Sequence, residues 1–334
     1  MKHRLSNKTS ILHPVDSSLE ARFLSSKVPS LFPFEIDTFM KLINYILVFS
    51  CIFLSCCDNR EILEHNYLLF QGTPAWELAK ATRDNNDKEM RRIISKNPDI
   101  VNYQEPKYGN TLLMLTILNQ QYKPFKVLLD SNADVNIHNT FDGSSAIIKS
   151  VSLKDYDIRF VNDLILSGAD VNDVEIGIRR EGNSTRNTPL ISAVNSGDIE
   201  FVQLLVSKGA KINYRNELEQ SALSESIMLK YYKIAYYLLQ NGADFDSPIF
   251  YRPDYSIPSE DRDPNDKGKP MYIVDVLRES VCEFDTEQYQ YKMMIVDFLN
   301  KKGIDYKSAP VPDYIKQEIQ KKHPDNWQEY LKRY

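Results

Sequence analysis

Few side chains in this chain could do covalent or metal chemistry. Four cysteines stand at Cys51, Cys56, Cys57 and Cys282, three of them in or beside one apolar stretch. They form no C-x-x-C pair, and no Cys/His grouping has the spacing of a zinc site. The five histidines are scattered, with no H-E-x-x-H. One acidic run, Asp261-Arg262-Asp263-Pro264-Asn265-Asp266-Lys267-Gly268, carries the alternating acids of a calcium loop. It departs from that pattern twice. Asp266 stands where the turn needs glycine, and Tyr272 stands where the bidentate glutamate belongs. A flexible acidic loop is the better reading. No G-x-S-x-G, phosphate loop or paired-carboxylate constellation is recognisable. The residues therefore argue against an enzyme and point to no catalytic group, metal or cofactor. Cys282 stands alone and reads as a buried or unpaired thiol.

The cysteine pair at 56 and 57 has a different context. Met40-Lys41 leads into an apolar run from Leu42 to Leu54, closed by Ser55-Cys56-Cys57. A basic start, a short apolar core and a small residue before cysteine resemble a bacterial lipoprotein signal peptide. The resemblance implies lipidation of Cys56, with Cys57 as the alternative, and a lipid-anchored protein of the bacterial envelope facing the periplasm or cell surface. Phe53 sits where that family prefers an aliphatic residue. The competing readings are a buried core helix and a transmembrane span, but the run is short of the roughly 20 residues that a span needs. Residues 1–39 show no steady period and read as a disordered extension, or as a stretch upstream of a true start at Met40. Residues 58–71 read as a tether.

Any chemistry beyond this is contact chemistry, and the elements that must present it repeat along the chain. The clearest unit starts at Thr188-Pro189-Leu190-Ile191-Ser192-Ala193-Val194 and continues through Phe201-Val202-Gln203-Leu204-Leu205-Val206 to Gly209-Ala210-Lys211-Ile212-Asn213. Thr188 can cap a helix, and Pro189 suits its first turn, where no amide bond is lost. Leu190, Ala193 and Val194 fall on one face at helical spacing. Gly197 breaks that helix, and Gly209 supplies the left-handed residue that ends a second one. Variants of the unit close on Asn97–102, Asn132-Ala133-Asp134-Val135-Asn136, Gly168-Ala169-Asp170-Val171-Asn172, Gly242-Ala243-Asp244-Phe245-Asp246 and Gly303-Ile304-Asp305. Gly209 and Gly242 lie ~33 residues apart.

This pattern resembles the ankyrin repeat, T-P-L-H-x-A-A, a turn glycine, V-x-x-L-L, then G-A-x-x-N. Two units keep Thr-Pro and none keeps the histidine. The resemblance implies an all-α solenoid of about six helix-turn-helix units over residues 72–306. A helical C-terminal cap over 307–334 is expected to cover the last repeat with Trp327, Tyr330 and Leu331.

The repeating Gly, Ala and Leu positions hold such a fold, so a partner must use what they leave free: turn tips and exposed positions of each first helix. Tyr108, Phe141, Tyr214 and Tyr251 are the aromatic anchor candidates. Two insertions add to them. Residues 174–187 alternate before Gly182-Asn183-Ser184 and suggest an extended finger carrying Arg179 and Arg180; a solvated loop is the plain alternative. Residues 247–269 place Tyr251 beside Arg252, although these aromatics could instead fold back onto the array. The net charge is −5, and beyond residue 55 the acidic excess grows. That argues against nucleic acid and is compatible with a basic protein partner. The expectation is a monomeric, non-catalytic protein-binding module. Its two candidate roles are an immunity protein occluding a secreted toxin, by analogy with similar bacterial ankyrin proteins, and an envelope scaffold for a periplasmic stress enzyme.

Overall fold

The signature of a helix pair recurs in three dimensions at every unit. In the computed structural model, residues 65–176, 185–263 and 266–334 are described, all within the unit Asn59–Tyr334. Five pairs follow one another: α1 (Trp76–Arg83) with α2 (Asp87–Lys96), α3 (Leu112–Leu118) with α4 (Tyr122–Asp130), α5 (Ala146–Ser150) with α6 (Ile158–Leu166), α7 (Pro189–Ser196) with α8 (Ile199–Ser207), and α9 (Ala222–Met228) with α10 (Tyr232–Gln240). A short antiparallel hairpin, β1 (Phe250–Arg252) and β2 (Lys269–Met271), precedes the sixth pair, α11 (Ile273–Arg278) and α12 (Glu287–Lys301). Two more helices follow, α13 (Asp313–Lys322) and α14 (Trp327–Arg333).

Local chemistry starts the helices where the residues predict. Thr188 Oγ1 accepts from the Ile191 amide at 3.3 Å, and Thr111 Oγ1 does the same for Met114. Ser221 and Ser224 form a reciprocal capping box on α9. Gly209 and Asn132 take the left-handed conformation after α8 and α4.

First helices pack on first helices (α3, α5, α7 and α9 in sequence), and second helices form a layer beside them. The two layers enclose one core running from Tyr67 to Tyr306, with Leu112, Leu128, Ile147, Leu164, Val202, Leu205 and Leu238 fully buried. Each such aliphatic side chain contributes roughly 1.5–3 kcal/mol by leaving water. A second, smaller cluster joins Ile315, Ile319, Tyr330 and Tyr334 to Val281 and Phe284.

The closing asparagines tie neighbouring units edge to edge. Asn136 Oδ1 accepts from the Asp170 amide at 3.1 Å, while its Nδ2 donates to the Gly168 carbonyl at 3.1 Å. Asn172 repeats this on Lys211 and Gly209, and Asn213 on Asp244 and Gly242. Asp170 and Asp244 of the Gly-Ala-Asp triplets each accept from the amide two residues on, Asn172 and Asp246, which forms the closing turn. Backbone groups left over at the helix ends are thus satisfied by the adjacent repeat.

Burial narrows one expectation. Every residue of α3 and α5 is buried, and α7 exposes only Asn195. First helices lie between two neighbours and against their own partner, so they offer almost no free face. Among these inner first helices α9, with Met228 exposed and Glu225 half-buried, presents a contact position beside the tips, while α1 at the start of the array exposes Glu77 and Arg83.

Candidate functional site

Three residues after each closing asparagine stands an acceptor side chain, and it shapes the tip. Glu105, almost wholly buried, accepts from the amides of Lys107, Tyr108 and Asn110 at 2.7–3.0 Å. Asn139 Oδ1 accepts from Phe141, Asp142 and Gly143 at 2.9–3.1 Å. Asn216 Oδ1 accepts from Leu218 and Gln220, both at 2.9 Å. Glu175 holds the same place in the unit with the long insertion, where its Oε2 accepts from the Asn187 amide at 2.9 Å. Burial pushes the Glu175 carboxyl up to about 7, against the pull of that amide. The sequence reading missed all four. Their signal is an Asn or Glu at a constant offset from the closing asparagine, which no helical or strand period reveals.

Bonds between tips make them one ordered row. Thr140 N donates to the Tyr108 carbonyl at 2.9 Å, and Gln104 Nε2 to the His138 carbonyl at 2.8 Å. Gly109 is required there: at φ +73° a Cβ would lie 2.6 Å from the Thr140 nitrogen. Further along, Ile176 N donates to the Gly143 carbonyl, Glu175 N to the Asn187 carbonyl and Glu217 N to the Thr185 carbonyl. The base of the 174–187 insertion is therefore pinned on both sides.

The sequence-nominated contact residues take different places. Tyr108 is 5% exposed and packs edge-on against Phe141, with ring centroids 5.3 Å apart. Its ring supports the tip from inside and presents no surface to a partner. Phe141 is half-buried in the same contact. Tyr214 is half-buried, and its hydroxyl donates to the Arg186 carbonyl at 3.0 Å, bracing the neighbouring tip. Tyr251 lies on β1, half-exposed, with the Lys267 ammonium 5.4 Å from its ring centroid. Arg179, Arg180 and Cys56 lie outside the described residues.

Tyr251 belongs to a groove that the sequence did not reveal. A 740 Å³ cleft lies between the 215–220 tip, α9 and the hairpin. Its floor carries Glu225 and Met228, its tip wall Leu218 and Glu219, and its hairpin wall Phe250 and Tyr251. The walls are held from behind. Arg215 Nη1 donates to the Glu219 carbonyl at 2.7 Å and reaches the Pro248 carbonyl, linking tip to hairpin. Lys267 pairs with Glu219 across the mouth. Arg252 pairs with Glu279 of the C-cap that follows α11. Gly268 closes the hairpin at φ +80°, where any side chain would strike the Arg252 carbonyl.

Cys282 is buried, with its sulfur against Ser280. Among the described residues, no three His, Cys, Asp or Glu side chains gather closely enough to hold a metal ion. Also among the described residues, no helix is long and apolar enough to cross a membrane.

Comparison with known proteins agrees with the stacked helix pairs. The family description for ankyrin repeats in three copies matches residues 147–249. This chain is an ankyrin-repeat protein. It is 30% identical to an ankyrin repeat protein of fowlpox virus (strain NVSL) over 129 residues, which is 39% of this chain and 36% of the viral one. To the ankyrin repeat and KH domain-containing protein of Caenorhabditis elegans it is 28% identical over 204 residues, 52% of this chain and 7% of that protein. To the mitochondrial disaggregase of Bos taurus it is 30% identical over 146 residues, 44% of this chain and 20% of that one. The chain thus spans well under half the length of each of these relatives. The fowlpox and nematode relatives are named for ankyrin repeats, which form a class of protein–protein interaction module.

Proposed function

We propose that this ankyrin-repeat protein binds a protein partner through the tips of its fourth and fifth repeats and the groove beside them, and catalyses nothing. The observation that carries this reading is the groove itself: a preformed 740 Å³ cleft flanked by exposed Leu218 and Met228, with walls braced by inter-repeat bonds. A rigid, half-apolar concavity lowers the ordering cost of association. In the same reading, lipid on Cys56 holds the chain at a bacterial envelope, and the partner is either a secreted toxin neutralised by occlusion or a periplasmic enzyme that the array supports. Those finer assignments rest on the Leu42–Cys57 stretch and on family analogy.

The test is affinity capture from the native cell with the full chain as bait, beside a Leu218→Lys, Tyr251→Ala double variant. One protein retained by the first bait and lost by the second supports the surface. Retention by both moves binding elsewhere on the array. The identity of the captured protein separates immunity from scaffolding. Labelling cells with a radioactive fatty acid, with and without Cys56→Ala and Cys57→Ala, tests the anchor.

A further inference from the structure

The charges around the groove do not balance locally, and the imbalance has an address. Glu219 is engaged by Lys267, and Glu217 by Arg186. Arg215 spends Nη1 on two backbone carbonyls. Glu225, on the groove floor, has no hydrogen-bond or ion-pair partner for its carboxylate among the described residues. It is half-buried, and burial raises its pKa with no cation to oppose the shift. A desolvated, unpaired carboxylate is costly in a fold unless something outside the fold meets it. Around it stand apolar and aromatic groups: Met228, Leu218, Phe250 and Tyr251.

We infer that this groove receives an arginine-bearing, otherwise apolar, extended segment of the partner protein, with the guanidinium on Glu225 and the flanking side chains on Leu218, Met228 and the ring of Tyr251. The inference rests on the binding function proposed above and names its chemistry. A guanidinium suits the site better than an ammonium. Its planar fork pairs with a carboxylate through two parallel bonds, and its face stacks on an aromatic wall. The cleft volume is several side chains large, so a lone small cation would leave most of the apolar wall wet, whereas a peptide covers it. A second cleft, 350 Å³ near Lys233 and Tyr291, has its carboxylate Glu287 already paired with Lys233 and makes no such demand.

The experiment uses the full chain and fluorescent peptides, each with one central arginine among varied Leu, Tyr and Val neighbours. Each peptide is matched by a copy with uncharged citrulline in its place. Binding is read by anisotropy for wild type, Glu225→Gln, Met228→Lys and Glu287→Gln. Arginine peptides should bind and citrulline copies should bind about tenfold more weakly, the gap expected between a hydrogen bond to a charged group and a neutral one. Glu225→Gln should erase that preference, Met228→Lys should reduce binding further, and Glu287→Gln should change nothing. Glu225→Gln breaks no internal contact, so its thermal melt should match or exceed that of wild type, which separates lost binding from lost folding. Equal affinity for arginine and citrulline copies overturns the inference, as does an unchanged preference in Glu225→Gln or a stronger affinity for Glu-bearing copies. If the captured cellular partner is lost by the Leu218→Lys, Tyr251→Ala bait but kept in full by Glu225→Gln, the groove inference fails while the binding function stands.

Discussion

Arg252 Nη1 lies 2.8 Å from Glu279 Oε1, and the second nitrogen of the same guanidinium meets the other carboxylate oxygen. This fork joins β1 to the turn after α11 and fixes the hairpin wall of the groove. Both side chains are mostly buried, so breaking the pair leaves one charge stranded. Arg252→Met should destabilise the fold by about 1–2 kcal/mol and speed hydrogen exchange of the 249–271 amides. A double-mutant cycle with Glu279→Gln should return a coupling of about 1 kcal/mol. Additive effects would show that the fork does not set the hairpin.

Asn172 makes two bonds to the next repeat, one to the Lys211 amide at 2.7 Å and one to the Gly209 carbonyl at 3.3 Å. Asn172→Ala removes both and should cost about 1–2 kcal/mol. Because each repeat touches only its neighbours, the loss should loosen the α5–α6 and α7–α8 pairs against each other. Hydrogen exchange should therefore quicken around residues 168–172 and 209–213 before it does at Asn102 or Asn136. Uniform quickening along the array would count against the local ladder.

Lys292 is 1% exposed, donates to the Ser280 carbonyl at 2.9 Å and stands 3.9 Å from the centre of the Tyr334 ring, with no carboxylate paired to it among the described residues. Burial presses its pKa down to about 7. Between about 7 and the ordinary lysine value, the unfolded chain binds a proton that the folded chain does not, so stability rises with pH there. Above about pH 10 the buried hydroxyls of Tyr232 and Tyr334, whose pKa values burial raises, reverse the slope. Urea melts across this range should show a maximum near pH 10. Lys292→Met should remove the rise, keep the fall, and leave the protein at least as stable at neutral pH.

Glu175 behaves in the opposite sense. Burial raises its carboxyl to about 7, and the nearby charge of Asp142 adds to the shift while Lys149 opposes it. The folded chain keeps a proton that the unfolded chain releases, so this stabilisation is full below the ordinary glutamate value and is lost as pH rises through about 7. Glu175→Gln can still accept from the Asn187 amide. It should flatten the stability profile between about pH 4.5 and 7 and raise the melting temperature above neutrality. An unchanged profile would place the titrating group elsewhere.

The helix pairs were legible because their determinants are local. Thr188, Pro189 and Gly209 act through their own backbone neighbours, and Leu190 and Leu205 declare a buried face through spacing alone. The candidate site was only half legible. Tyr108 and Tyr251 look alike in the chain, as aromatic residues beside a basic neighbour in a connecting loop. One is sealed beneath Phe141 and the other lines a cleft. Nothing near either residue in sequence distinguishes them, since what covers Tyr108 comes from the next repeat.

The sequence by itself determined the period, the helices and the turn residues of this protein, because capping, left-handed turns and amphipathic spacing are interactions among residues a few positions apart. Only the tertiary structure decided which surfaces are free. It buried α3 and α5 on every side, bonded each tip to the next through Asn139 and Asn216, and set Phe250 and Tyr251 of β1 along the same cleft as Glu225. Burial and charge pairing depend on groups brought together from distant positions, and those distances exist only once the repeats have stacked.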